Sequence, residues 1–313
     1  MGTYEVLFNV AAFLAGLSLF KLFVSSATML AKRLHIPEML VAILIAGAEW
    51  EELTVVALSL AQRRPALAVG NTIGSCVANI FGAFALGLVF STGAWEGFDR
   101  SSKTACVALL ALTSVVSLFS LADILWNRVV AGLLLVAFVA YMVLHGASSF
   151  SSSSKLRKFH HTLIPILKLV CGFVVLTVSG FILSHIPTHL AASFDMSDAA
   201  FGATVLSLAT SLPEKFLAVM SSTRGHTGLL IADAVGSNVF LLTLCLGIAA
   251  WSFVSVSRIE ACWLWAAAVA LTVVVAIGGK AICKVAGVRQ MLGALMLVAY
   301  GGFLEVEFTI LQG

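Results

Sequence analysis

Acidic side chains occur inside two segments of the chain that are otherwise apolar enough to lie within a membrane. Glu49, Glu51 and Glu52 lie in the first segment, and Glu214 and Asp233 lie in the second and shortly after it. A carboxylate at the centre of a bilayer costs roughly 2.5–3.5 kcal/mol, so an acid at that depth indicates a functional role. Carboxylates are also preferred ligands of Ca²⁺. These positions therefore predict a cation site within a membrane.

The two acidic segments match each other, without a gap, at a constant offset of 162 residues. The matched pairs are Glu52 and Glu214, Ser59 and Ser221, Asn71 and Asp233, and Gly74-Ser75 and Gly236-Ser237. Two related membrane segments, each with an acid beside a helix break, are typical of a transporter whose site lies between two structural repeats. The sequence therefore predicts a secondary transporter.

The composition excludes an ordinary soluble domain. The chain of 313 residues is 60% hydrophobic and 11% charged, whereas soluble domains carry roughly 25% charged residues. Apolar runs recur that are long enough, at about 20 residues, to cross a bilayer. We expect an all-α membrane protein of ten transmembrane helices, near residues 5–31, 37–61, 66–91, 102–122, 126–147, 163–186, 197–221, 228–252, 259–280 and 289–310.

A serine-rich and basic loop divides this pattern into two halves. Residues 1–147 hold helices one to five, residues 148–162 form the loop, and residues 163–313 hold helices six to ten. Because five is odd, the second half must enter the membrane from the opposite side. Related halves of this kind are inverted repeats, with the binding site near the midplane of the membrane.

The distribution of basic residues predicts the orientation. Loops on one side carry eleven lysine and arginine residues, and loops on the other side carry four. The richer side is expected to be cytoplasmic, which places the serine-rich loop in the cytoplasm and both termini outside or in a lumen. The membrane is then the plasma membrane or that of an organelle. This bias accounts for the net charge of +3, and no nucleic-acid partner is expected.

Further oxygen ligands lie close to the paired acids Glu52 and Glu214. Pro213 breaks a helix, because it has no N–H to donate, and Thr210 and Ser211 provide hydroxyl groups at that break. Asn79 offers an amide oxygen. Lys215 follows Glu214 directly, but neighbours on a helix project about 100° apart, and we expect Lys215 to point away from the site. The two Gly-Ser pairs are expected to let helices three and eight approach closely.

At these residues the chain resembles a known family. Ala209-Thr-Ser-Leu-Pro-Glu214, followed by Ala234-Val-Gly-Ser-Asn-Val-Phe240, is similar to the second alpha-repeat of the calcium/cation antiporter superfamily, the sodium/calcium exchangers. Gly47-Ala-Glu-Trp-Glu-Glu-Leu53, followed by Gly70-Asn-Thr-Ile-Gly-Ser-Cys-Val-Ala-Asn79, resembles the first repeat. The resemblance covers essentially the whole chain.

The resemblance implies roles for individual residues. In the family, the repeat glutamates and nearby threonine and serine groups ligate calcium and sodium, and an acid or amide lies 27 residues beyond each glutamate. Glu52, Glu214, Thr210 and Ser211 match these ligands, and Asn79 stands 27 residues after Glu52.

Four positions depart from the family pattern. Ala48 and Glu49 replace a threonine and a serine, Glu51 replaces a proline, and Leu241 stands where an acid or amide is expected. These changes favour a divalent cation site but weaken the sodium sites. A third acid, Glu49, beside two others would gain and lose protons as calcium leaves and arrives. The sequence therefore slightly favours protons over sodium as the counter-ion.

The leading hypothesis is an antiporter that exchanges calcium, or another divalent cation, for sodium or protons by alternating access. Its metal-ligating candidates are Glu52, Glu214, Thr210, Ser211, Asn79, Glu49, Ala48 and Asp233. An exchanger homologue or channel that binds cations without coupled exchange is the alternative, because ligands are missing from the first repeat. The motifs of hydrolases are missing as well, so neither enzymatic activity nor a cofactor besides the transported ions is expected.

Overall fold

The computed structural model describes residues 49–91, 98, 100–122, 127–149, 196–223, 225, 227–252, 257–277 and 285–310. Regular structure within these ranges is entirely helical. The helices are α1 (Trp50–Ala61), α2 (Pro65–Val89), α3 (Arg100–Leu121), α4 (Arg128–Ser149), α5 (Asp198–Thr210), α6 (Leu212–Thr223), α7 (Thr227–Ala250), α8 (Arg258–Ile277) and α9 (Ala286–Ile310).

The all-α prediction is confirmed for this part of the chain. Each of the eight predicted spans that overlaps the described residues coincides with helix, and the bounds agree to within a few residues where both ends are described. The first and sixth predicted helices and residues 150–162 of the loop lie outside the described ranges. The number of ten helices and the inverted arrangement of the halves stay predictions.

Several of these helices are suited to a membrane. Five of those described are long and apolar enough to cross one, namely α2, α3, α7, α8 and α9. A sixth is added if α5 and α6 are taken as one span, which is bent by 45° between them. Ser211 forms the turn at this bend, and Pro213 follows at a position in the first helical turn where a missing N–H is tolerated.

The offset of 162 residues seen in the sequence also appears in the helix bounds. Helix α1 begins at Trp50 and ends at Ala61, and α6 begins at Leu212 and ends at Thr223. Wider π-helical turns occur at matching places in the longer helices, at Ala78–Phe84 in α2 and at Leu241–Cys245 in α7. The related sequences therefore adopt related local structures.

Helix α2 forms the centre of the described bundle. Every residue from Leu67 to Ala85 is buried, as expected for a helix that is apolar around most of its circumference. In contrast, α3, α4 and α9 turn large apolar side chains outward. Leu118 is 62% exposed, Val129 is 66% exposed and Val298 is 73% exposed. Such surfaces are stable against lipid hydrocarbon and unfavourable in water.

The crossing of α2 and α5 depends on glycine. A Cβ atom on Gly74 would lie 2.2 Å from the carbonyl oxygen of Ala203, and one on Gly202 would lie 2.6 Å from that of Leu67. Small residues therefore let the two backbones touch. This corrects the expectation that Gly74 lies against helix eight, because its nearest neighbours belong to α5, in helix seven.

Polar contacts fix the ends of α2 and α5 beside each other. Pro65 occupies the start of α2, and the Oγ of Ser197 caps α5 by accepting a hydrogen bond from the Ala200 N–H at 3.2 Å. Just before α2, the Arg64 guanidinium donates to both carboxylate oxygens of Asp198, at 2.9 and 2.5 Å. A bidentate pair of this kind fixes geometry as well as charge.

Candidate functional site

Helix α2 carries a buried row of polar side chains. Asn71, Ser75 and Asn79 are each at most 1% exposed, and their spacing of four residues places them on one face of the helix. Buried polar groups require partners. The partners of this row are acids at the start of α1.

Two carboxylates of the first repeat are held by this row. Glu52 accepts a hydrogen bond from Asn71 Nδ2 at 2.5 Å through Oε2, and from Ser75 Oγ at 2.7 Å through Oε1. Glu49 accepts one from Asn79 Nδ2 at 2.7 Å through Oε1, whereas its buried Oε2 has no hydrogen-bond partner. We call these five residues the first half-site.

The second repeat supplies its acids differently. Glu214 lies in the first turn of α6, directly after the bend, and its buried Oε2 has no hydrogen-bond partner. Asp233 is buried in α7. We call Glu214 and Asp233, together with Thr210 and Ser211 at the bend, the second half-site.

The hydroxyl groups at the bend bond to their own helix. Thr210 Oγ1 donates to the carbonyl oxygen of Leu206 at 3.0 Å, and Ser211 Oγ donates to that of Ser207 at 2.5 Å. The Thr210 side chain also lies beside the Glu52 carboxylate. The lone pairs of these hydroxyl oxygens face the acids of both repeats and are suited to bind a cation.

The two half-sites meet. The Glu49 carboxylate is close enough to interact electrostatically with those of Glu52, Glu214 and Asp233, and the Ser237 side chain lies beside it. Glu214 in turn interacts with Glu51 and Glu52. Among the described residues, three acidic, cysteine or histidine side chains do not approach closely enough to hold a metal ion together. Ala48, a further candidate, lies outside the described residues.

The expectation that Lys215 points away from the site is wrong. Its side chain turns back by one helical turn, and Nζ donates to Ser211 Oγ at 2.5 Å and to the Ser211 carbonyl oxygen at 3.2 Å. Its charge interacts with Glu214, Glu52 and Glu49. The angle between neighbouring Cα positions did not reveal this, because long helical side chains lean toward the preceding turn.

The sequence identified the acids of the site but not all the groups that orient them. Asn71 and Ser75 were recognised as repeat positions and were not assigned to the site, and Ser237 likewise. The spacing of four residues from Asn71 through Ser75 to Asn79 was the available signal, because it places an established candidate on the same face as the other two.

A comparison with family models decides the membership of the chain. The model described as "Sodium/calcium exchanger protein" matches residues 4–146 and 164–308. The chain belongs to this family. Membership and the apolar helices together make it a multi-pass integral membrane protein of the cation-antiporter class.

Individual relatives agree with this assignment. The "Putative antiporter CaxA" of Alkalimonas amylolytica is 27% identical over 308 residues, which cover 92% of this chain and 93% of the relative. An uncharacterized membrane protein of Methanocaldococcus jannaschii is 21% identical over 241 residues, covering 75% of this chain and 78% of the relative.

Solved structures show the same fold. The sodium-calcium exchanger NCX_Mj soaked with 10 mM Na⁺ and zero Ca²⁺ superposes with a TM-score of 0.65 at 18% identity, covering 96% of this chain and 99% of the exchanger. The same exchanger soaked with 10 mM Na⁺ and 10 mM Sr²⁺ gives a TM-score of 0.66 at 19% identity, covering 96% and 98%.

Proposed function

We propose that the chain is a secondary active antiporter that exchanges Ca²⁺, or another divalent cation, for sodium or protons by alternating access. The observation that carries this proposal is the meeting of acids from both repeats, with the buried Oε2 atoms of Glu49 and Glu214 left without hydrogen-bond partners. Unpartnered carboxylate oxygens in a membrane are costly, and a passing cation offsets that cost. Transport requires no chemical change in the ion.

The proposed architecture is ten transmembrane helices in two inverted halves, residues 1–147 and 163–313, joined by a cytoplasmic loop at 148–162. The common offset of α1 and α6 supports a repeat, and the family match falls into two segments, one in each proposed half. An inverted repeat would bring Glu52 and Glu214 to opposite sides of one site near the midplane. The termini would lie outside the cytoplasm, in the plasma membrane or an organellar membrane.

In this proposal each half supplies one principal carboxylate to the divalent ion, Glu52 from the first and Glu214 from the second. Ca²⁺ takes six to eight oxygen ligands, so the remaining oxygens must come from neighbours and water. The proposed contributors are Thr210, Ser211, Asn79, Glu49 and Asp233, together with the backbone near Ala48. The similarity of the chain to a protein named as an antiporter supports the same activity.

Protons are the counter-ion that we favour. Glu49 holds one oxygen free beside three other acids, so its charge can be compensated either by a divalent ion or by a proton. Leu241 supplies no side-chain oxygen where the repeat partner, Asn79, has one. That loss also supports the alternative function, a homologue or channel that binds cations without coupled exchange.

The decisive experiment is Ca²⁺ uptake into proteoliposomes under separately imposed proton and sodium gradients. We expect uptake to follow the proton gradient, and Glu49→Ser to reduce it severalfold. Glu305→Gln, which neutralises an exposed acid in α9, is the matched control and should transport like the wild type. Uptake driven by sodium alone at constant pH would overturn proton coupling, and uncoupled flux would favour the channel.

A further inference from the structure

Lys215 lies at the second half-site in a place built to receive it. Its Nζ atom donates to two oxygens of one residue, Ser211 Oγ at 2.5 Å and the Ser211 carbonyl oxygen at 3.2 Å. Ser211 Oγ already donates its own hydrogen to the Ser207 carbonyl. The hydroxyl therefore presents lone pairs toward the ammonium, as it would toward a metal cation.

Neighbouring helices shape the remainder of this place. A Cβ atom on Gly82 of α2 would lie 3.2 Å from Lys215 Cε, so the glycine leaves room for the lysine side chain. On the other side, the ring of Tyr300 in α9 lies 5.9 Å, by its centroid, from Nζ. An aromatic face at this distance attracts a cation. The position of the ammonium is thus fixed by contacts from three helices.

The charge of Lys215 acts on the acids of both half-sites, since it interacts with Glu214, Glu52 and Glu49. The residue at the matching position of the first repeat is Leu53, which carries no charge. The two halves therefore differ by one fixed positive charge. A lysine ammonium and a hydrated monovalent ion compete for the same carboxylate and hydroxyl oxygens.

We propose that the Lys215 ammonium is a tethered monovalent cation that occupies the oxygens of Ser211 and excludes a free sodium ion from this side of the site. Lys215 is then a specificity-determining residue. It leaves the divalent ion to bind between the acids and disfavours sodium as the counter-ion. The inference rests on the proposed function, because it assigns a selectivity to the same site.

The test is equilibrium binding of radioactive Ca²⁺ to the purified full-length protein at one fixed pH, with NaCl exchanged for choline chloride at constant ionic strength. Removing one positive charge this close to the acids in Lys215→Met should tighten Ca²⁺ binding about tenfold. The freed Ser211 oxygens should let Na⁺ compete at about tenfold lower concentration than in the wild type. Lys215→Leu, which copies Leu53, should behave in the same way.

Two further variants separate this role from a structural one. Lys103→Met removes a lysine from the first turn of α3 and should leave both affinities unchanged. Gly82→Ala keeps the lysine but crowds its side chain, so it should shift sodium competition in the same direction as Lys215→Met even if the lysine variants fail to fold.

The outcomes are distinguishable. Unchanged Ca²⁺ and Na⁺ affinities in the Lys215 variants, with normal Ca²⁺ binding by the wild type, would overturn the inference alone. Weaker Ca²⁺ binding in Lys215→Met would also overturn it, because the lysine would then support the site instead of competing for it. A wild-type protein that binds no Ca²⁺ would overturn the proposed function and the inference with it.

Discussion

The two half-sites use the same helical scaffold and treat their acids in opposite ways. In the first half-site, both oxygens of Glu52 accept hydrogen bonds from α2. In the second, Glu214 has a buried oxygen without a hydrogen-bond partner, and the nearby hydroxyl of Ser211 is bonded to Lys215. Oriented ligands bind ions tightly, whereas an unsatisfied buried oxygen costs free energy until an ion arrives.

This difference suggests a division of labour within the repeat. The first half-site is a preorganised anchor, since its carboxylate already points in a fixed direction. The second half-site lies at a 45° bend between two helices, where a small change in helix angle would move Glu214 relative to Glu52. Asymmetry between repeat halves therefore gives one site a fixed wall and an adjustable one.

The largest expected effect comes from neutralising either principal acid. Glu52→Gln and Glu214→Gln should each abolish Ca²⁺ uptake, because each removes half of the charge that replaces the hydration shell of the ion. Stability should separate them. Glu52→Gln leaves one of two buried donors without an acceptor and should cost about 1–3 kcal/mol, whereas Glu214→Gln removes an unpartnered charge and should not lower the melting temperature.

Uptake assays in proteoliposomes and thermal unfolding in detergent would measure the two effects. Near-normal flux in either variant would rule out the shared site. Equal losses of melting temperature would mean that Glu214 is held as firmly as Glu52, and the contrast between the half-sites would disappear.

A smaller effect is expected from the donor that orients Glu52. Asn71→Leu removes the hydrogen bond to Oε2 and should weaken Ca²⁺ binding about 10–100-fold, the usual loss when a ligand loses its supporting partner. Asn238→Leu is the matched control, because the Asn238 amide donates to Ala234 of its own helix. Equal losses in the two variants would attribute the effect to packing instead of to Glu52.

Much of the fold and part of the site followed from the sequence alone. The apolar runs predicted most described helices, and the offset of 162 residues predicted that acids of both repeats would meet. Lys215 was misjudged because its path depends on the space left by Gly82 and on the ring of Tyr300. Both lie far from Lys215 in sequence, and no local pattern encodes that proximity.

The helix crossing shows the same limitation. Gly74 was recognised as a small residue suited to close packing, but its partner could not be deduced. The contact with Ala203 depends on how α5 lies across α2, and that angle is set by many side chains at once. Periodicity identifies which face of a helix packs, whereas the identity of its neighbour emerges only from the assembled bundle.

The smallest expected effect concerns the second donor to Glu52. Ser75→Ala removes the 2.7 Å hydrogen bond to Oε1, while Asn71 still holds Oε2, so Glu52 keeps its direction in part. The loss of a single hydrogen bond to a charged group is worth about 1.5–3 kcal/mol, and a hydroxyl group on the second oxygen should give the lower end of that range. Ser59→Ala removes a buried hydroxyl without a hydrogen-bond partner and should change little. Calcium titration of the three proteins would compare them, with Ser75→Ala binding more weakly than Ser59→Ala and more tightly than Asn71→Leu. A Ser75→Ala variant that binds Ca²⁺ like the wild type would show that Asn71 alone orients the anchor.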